Sequence, residues 1–319
     1  MRRSRALVIL GGLLAWLVVA TVSAGSEAAS TSVSCPELAE PAPGAADEGP
    51  RLLPLLARSQ VGFGRFVEPM PAPEALPMDS PCSPGMVDVE GDYCPYLEQR
   101  CLRWLDSETK LQCAEFERAP SASRCALPVE HKHFCIDRYE WPNRVGVLPA
   151  YMASWTEGKA SCEAIGKRLC SDTEWTLACE GPERKPYPYG DGYERDDRAC
   201  NIDKPYIGPD DGRVYDPKTQ AEELARLDQR EPSGSRAGCV SPYGVSDMVG
   251  NVDEWVVNVS QFGRPHLSGL KGGYWGPVRT RCRPMTTAHD EQFRYYQIGF
   301  RCCEDPRPVD VGDTPLVSL

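Results

Sequence analysis

Fifteen cysteines are the residues best able to do chemistry in this chain of 319 residues. No two stand as a CxxC pair, and the adjacent Cys302 and Cys303 cannot by spacing close a zinc knuckle. In an exported chain such cysteines pair as disulfides, and an odd count leaves at least one unpaired, intermolecular or ligated. The stretch LKGGYWGPVRTRC, from Leu270 to Cys282, holds one cysteine only. Other reactive types are sparse. His131 and His133 lie at strand spacing on one face, where a divalent metal could bridge them, but no third ligand stands nearby in sequence. His266 and His289 are isolated, and no GxSxG, HExxH or P-loop signature occurs, which argues against a serine triad, a zincin and a nucleotidase.

The elements that must position these residues begin after a leader. MRRSR precedes an apolar run from Ala6 to Ala20 and small residues at Val22 to Ala24, as in a secretory signal peptide over 1–24. The run falls short of the roughly 20 residues a membrane span needs, so no transmembrane helix is expected in the mature chain. Export to a periplasmic, cell-surface or extracellular location follows. Acidic residues outnumber basic ones, 46 to 35, and the net charge of -11 excludes a generic attraction to nucleic acid. Residues 25–78 are rich in Pro, Ala, Ser and Glu and read as a flexible tether.

Residues 79–130 crowd Cys82, Cys94, Cys101, Cys113 and Cys125 together, like a covalently stapled lobe or the start of the main domain. Within it, GMVDVEGDYC reads as a strand entering a hairpin at Gly91-Asp92. FCIDRYEWPN is an extended segment closed by Pro142-Asn143. Ser154 with Glu157, and Ser171 with Glu174, form two capping boxes that start short helices, the first turning Ala160, Cys162 and Ile165 to one side and leaving at Gly166, the second stopping at Gly181-Pro182. Beyond Pro182, Gly, Pro, Asp and Tyr signal long ordered loops, with one surface helix over Thr219 to Asp228. Residues 306–319 form a tail.

In this order, GKRLCSDTEWTLACEG, YGVSDMVGNVDEWV, LKGGYW and YQIGFRCC resemble segments of the formylglycine-generating enzyme (sulfatase-modifying factor) family, which run GKRLPTEAEWEYA, GLYDMVGNVWEW, RGGSW and IGFR. GMVDVEGDYC is similar to the family's opening MVxIPGG strand. The resemblance implies an α+β, C-type-lectin-like domain over 131–305, loop-rich, with few short helices and strands and stabilised by disulfides. From the family's pattern it implies bridges Cys162 to Cys302 and Cys179 to Cys282.

The family's oxidase holds copper(I) through two further cysteines just after Gly-Gly-Ser, and thiolate sulfur is the soft ligand that ion prefers. Counting forward from Gly273 places Cys282 on the second catalytic position. Counting back from Cys302 places it on the structural position, which also leaves Cys179 a partner. Either count supplies a single thiolate, Tyr274 stands for the family serine, and Asp253 for the tryptophan of GNxWEW, so no catalytic residue is assigned and no copper is expected.

Calcium is the cofactor the resemblance does imply. Asp247, Gly250, Val252 and Glu254 match the residues that bind it in the family, and an oxygen-rich tight loop suits that ion. A second family site begins at Asn201-Ile202, with Asp210 or Asp211 as distal candidates. Trp275, Arg279, Arg281, Tyr295 and Tyr296 fall where the family presents its groove, and aromatic and arginine side chains are usual interface anchors. The expected function is binding of a protein, peptide or glycan without catalysis; the alternative is an oxidoreductase related to formylglycine-generating enzyme, acting on a protein cysteine.

Overall fold

A computed structural model of the chain describes residues 80–118, 125–261, 263 and 265–308. The signal peptide, the tether, Cys35 and most of the tail lie outside the described residues.

The first sheet runs in the order β1-β4-β10-β5. β1 (Met86–Tyr93) pairs antiparallel with β4 (Glu130–Asp137) from Met86 opposite Asp137 to Tyr93 opposite Glu130. Alternation buries Val87, Val89 and Tyr93 and turns Asp88, Glu90 and Asp92 to water. The hairpin expected at Gly91-Asp92 does not form, because the strand continues through it. A Cβ at Gly91 would lie 2.5 Å from the Tyr243 hydroxyl, so the glycine makes room for a neighbour rather than turning the chain. β10 (Cys302–Glu304) joins β4 to β5 (Arg168–Leu169). Between β1 and β4 the chain makes the small ladder of β2 (Cys101–Trp104) and β3 (Cys113–Phe116), stapled by Cys101–Cys113, while Cys94–Cys125 closes the surrounding loop.

The second sheet has the order β8-β7-β6-β9: β8 (Met285–Thr286), β7 (Ser268–Lys271), β6 (Asp253–Val257) and β9 (Ile298–Phe300), with β6 and β9 parallel. The two helices with capping boxes are α1 (Trp155–Glu163) and α2 (Asp172–Glu180), where Ser154 and Ser171 each accept from the backbone N–H three residues on, and Glu157 and Glu174 bond back. α1 ends earlier than its sequence suggests. Its inward face is Trp155, Gly158 and Cys162; Ala160, two residues from both Gly158 and Cys162, falls on the opposite side, and Ile165 lies beyond the last helical residue, so both are exposed. α2 is buried along nearly its whole length and ends at Gly181.

Two further helices sit in the loop-rich half. α3 (Asp211–Tyr215), which the Pro- and Gly-rich sequence concealed, is capped by Asp210. α4 (Gln220–Leu227) is more than a surface helix, since Leu224 and Leu227 pack with Val214, Trp275 and Tyr296. The long loops are fixed by Cys200–Cys239 and by paired arginines, Arg195 with Asp203 at 2.7 Å and Arg236 with Glu231 at 2.6 Å. The described residues form the expected loop-rich α+β fold: two four-stranded sheets, the two-stranded ladder, short helices, ordered loops and seven disulfides. Among the described residues no helix is long and apolar enough to cross a membrane.

Candidate functional site

Residues of β6 point alternately to the two sides of the second sheet, and two acidic neighbours thereby meet different surroundings. Glu254 is buried and chelates Arg301, Nε to Oε2 at 2.7 Å and a terminal nitrogen to Oε1 at 2.6 Å, while the Trp175 indole donates to Oε2 at 2.7 Å. The remaining Arg301 donors reach the Ser246 and Asp137 carbonyls. Next to this pair lie two more buried carboxylates. Asp247 accepts from the Gly234 N–H at 2.7 Å, and Glu140 accepts from Ser233, Asn251 and the Val252 N–H. Burial, then repulsion from Asp247 and Glu254, raises Glu140 well above the carboxylate range, and burial raises Asp247 to about 6.

Three carboxylates thus share one guanidinium. The four residues matched to the calcium site do not fit a cation held through Glu254, because both of its oxygens are already taken by positively polarised donors. Glu140 is engaged likewise, Oε2 by Ser233 and Asn251 and Oε1 by the Val252 N–H, so Asp247, which accepts from the Gly234 N–H through Oδ2, is the one of the three carboxylates that fits a divalent cation. Glu140 was not singled out from sequence; it is one of three charged residues in FCIDRYEW, and nothing local marks it as buried. Gly250, at φ +79°, packs so closely on Asn201 and Ile202 that a Cβ would meet the Asn201 carbonyl at 2.3 Å. Asn201 donates to the Gln229 carbonyl and to Asn251, and its own Oδ1 is buried without a partner. Asp210 and Asp211 are committed elsewhere, to the cap of α3 and to the Tyr295 hydroxyl.

On the other side of β6, Asp253 faces a cleft of about 240 Å³ that Leu270, Gly272, Gly273, Arg279 and Thr286 also line. Asp253 accepts from the Gly273 N–H at 3.1 Å, and burial raises it to about 7. The Gly-Gly turn requires glycine: φ is +89° at Gly272 and +74° at Gly273, and Cβ atoms there would meet the Met248 carbonyl and Thr280.

The expected groove is corrected in most of its members. Trp275 and Tyr296 are core residues, 1% and 4% exposed, because α4 and Val214 cover them. Arg281 turns inward over the Phe116 ring at 5.2 Å, and Tyr295 is half-buried and tied to Asp211. Arg279 alone of the five lines the cleft, where it donates to Thr286. Asn258, which with Val259 and Ser260 spells a glycosylation sequon, is buried and donates to the His266 carbonyl.

All fourteen cysteines of the described residues are in disulfides. Cys162 on α1 pairs with Cys302, Cys170 with Cys303, and Cys179 on α2 with Cys282, closing separations of 140, 133 and 103 residues. Cys82 pairs with Cys135 on β4. Residues 115–306 match the family described as sulfatase-modifying factor enzyme 1-like domain. The chain belongs to that family.

Among curated relatives, this sulfatase-modifying factor domain is similar to the inactive C-alpha-formylglycine-generating enzyme 2 of Bos taurus, 26% identical over 163 residues that make up 49% of this chain and 50% of the relative. The protein of the same name from Mus musculus is 25% identical over 166 residues, 49% of this chain and 48% of the relative. The chain therefore spans about half the length of the curated relatives it matches. Among solved structures, CarF covers 69% of this chain and 97% of its own at 15% identity and a TM-score of 0.45. PvdO from Pseudomonas aeruginosa covers 71% and 97% at 19% identity and a TM-score of 0.42. Seven disulfides among the described residues fit an oxidising compartment.

Proposed function

We propose that this exported sulfatase-modifying factor domain works by binding a protein, peptide or glycan and performs no copper-dependent cysteine oxidation. The observation that carries the reading is the bridge of Cys282 to Cys179, which engages the single cysteine of the Gly-Gly segment. Copper(I) chemistry needs two soft thiolates close together, and a disulfide sulfur supplies neither charge nor a free valence. The surface for the partner is the cleft beside the Gly-Gly turn, where Asp253 offers a carboxyl and Arg279 a cationic donor to polar groups.

Incubation of the purified chain with copper(I) and a peptide bearing Cys-x-Pro-x-Arg, followed by mass spectrometry, tests this. The reading requires an unchanged cysteine; conversion to the aldehyde overturns it.

Calcium belongs to the same proposal. Asp247 and the Gly250 and Val252 carbonyls of the family set would hold it, and the ion's contribution there is to neutralise the buried Asp247 carboxylate. Glu254 stays with Arg301.

A further inference from the structure

A second cavity, of about 520 Å³, lies apart from the cleft at Asp253, with Pro284 in the wall of both. Such a volume is typical of a small-molecule site. Tyr93, Leu127 and Met285 give it apolar walls, and Lys271, Thr176 and Asp172 a polar floor. The Cys94–Cys125 and Cys179–Cys282 bridges hold neighbouring segments, so little ordering remains for a ligand to impose.

Lys271 is the group on this floor without an ion-pair partner in contact. It is 2% exposed, and its Nζ donates to Thr176 Oγ1 at 2.8 Å and the Arg283 carbonyl at 3.0 Å, 5.2 Å from the Trp175 ring centre. The acidic neighbours are engaged with others. Glu180 chelates Arg283 through two contacts of 2.7 Å, and Asp172 accepts from the Val259 N–H, the Ser260 N–H and the Ser260 hydroxyl. At the rim Glu130 pairs with Lys132 at 3.1 Å. Burying an ammonium among neutral partners is costly. Burial accordingly lowers Lys271 to about 7; Asp172 and Glu180 oppose that shift, and Arg283 and Arg279 add to it.

We propose that this cavity binds a small molecule carrying a carboxylate or phosphate, whose anionic group pairs with the Lys271 ammonium while its apolar body rests on Tyr93 and Met285. A bound anion favours the charged amine, so binding near neutral pH draws a proton from solvent. Among the charged groups around the amine, Asp172, Glu180, Arg283, Arg279, Glu130 and Lys132, the ligand is the one that brings a new charge.

Isothermal titration of the full chain with benzoate, acetate, phenyl phosphate and inorganic phosphate tests this, at about pH 7.5 in two buffers of different ionisation heat. Saturable one-site binding of a carboxylate or a phosphate probe is expected, with uptake of a fraction of a proton. Lys271→Met should weaken it by about tenfold or more, the loss of a charged hydrogen bond, and abolish the uptake. Which probe class binds separates carboxylate from phosphate recognition. No saturable binding by any of the four probes overturns the proposal. So does binding without proton uptake in the wild-type chain, a readout that stands even where Lys271→Met fails to fold, and so does unchanged affinity in a folded Lys271→Met.

Discussion

Glu254 on β6 and Arg301, just before β10, form a chelated ion pair in the core, each side chain 1% exposed, with contacts of 2.6 and 2.7 Å. Arg301 is the single residue between β9, in the same sheet as β6, and β10, in the other sheet, so the pair sits where the chain passes from one sheet to the next. Its geometry and the Trp175 indole satisfy the carboxylate, so desolvation is offset only while both partners are present.

Removing one partner strands a buried charge. Arg301→Met is expected to lower unfolding free energy by about 3–5 kcal/mol, read from the urea midpoint of the disulfide-intact chain. A loss below about 1 kcal/mol would mean that water reaches Glu254.

The pH dependence of Asp253 has a definite sign. Its folded pKa, about 7, is raised above the usual 3.8, so its favourable contribution is present below the unfolded value and is lost as pH rises through about 7. Asp253→Asn should therefore leave stability nearly unchanged at about pH 4 and raise it by roughly 2–4 kcal/mol at about pH 8. Equal effects at both pH values would show that the carboxyl is solvated in the folded chain.

For the calcium proposal, adding the ion to chelated protein at neutral pH should raise the melting temperature by several degrees, as ligand binding to the folded state requires. Asp247→Asn should remove most of that rise. A melting temperature indifferent to both calcium and chelator contradicts the assignment to Asp247.

Gly272 offers a backbone test. Gly272→Ala places a Cβ 2.9 Å from the Met248 carbonyl at a φ of +89°, and should cost about 1–3 kcal/mol by the same urea measurement.

The parts of the fold written in local chemistry were legible in the sequence. Ser154 with Glu157 and Ser171 with Glu174 start helices because their side chains satisfy N–H groups within one turn, which needs no tertiary information. The serial motifs carried the fold for the same reason. What was illegible depends on partners far along the chain. Gly91 looked like a turn, but its role is set by Tyr243, about 150 positions away. Trp275 looked like a groove anchor until α4 and Val214 were placed over it, and Glu140 and Lys271 gain their unusual electrostatics only from burial among residues no spacing rule connects.

The Cys282 bridge bears most directly on the functional reading. Loops of about a hundred residues closed by a disulfide contribute up to about 5 kcal/mol in the chain-entropy model, so Cys179→Ala, Cys282→Ala and the double variant should lose similar stability, the double no more than either single. Peptide mapping of the native protein, alkylated without reduction, reads the bond itself. Cys179 and Cys282 should be recovered in one linked peptide, with no alkylated thiol among the described residues; an alkylated Cys282 beside a second alkylated cysteine would contradict the account.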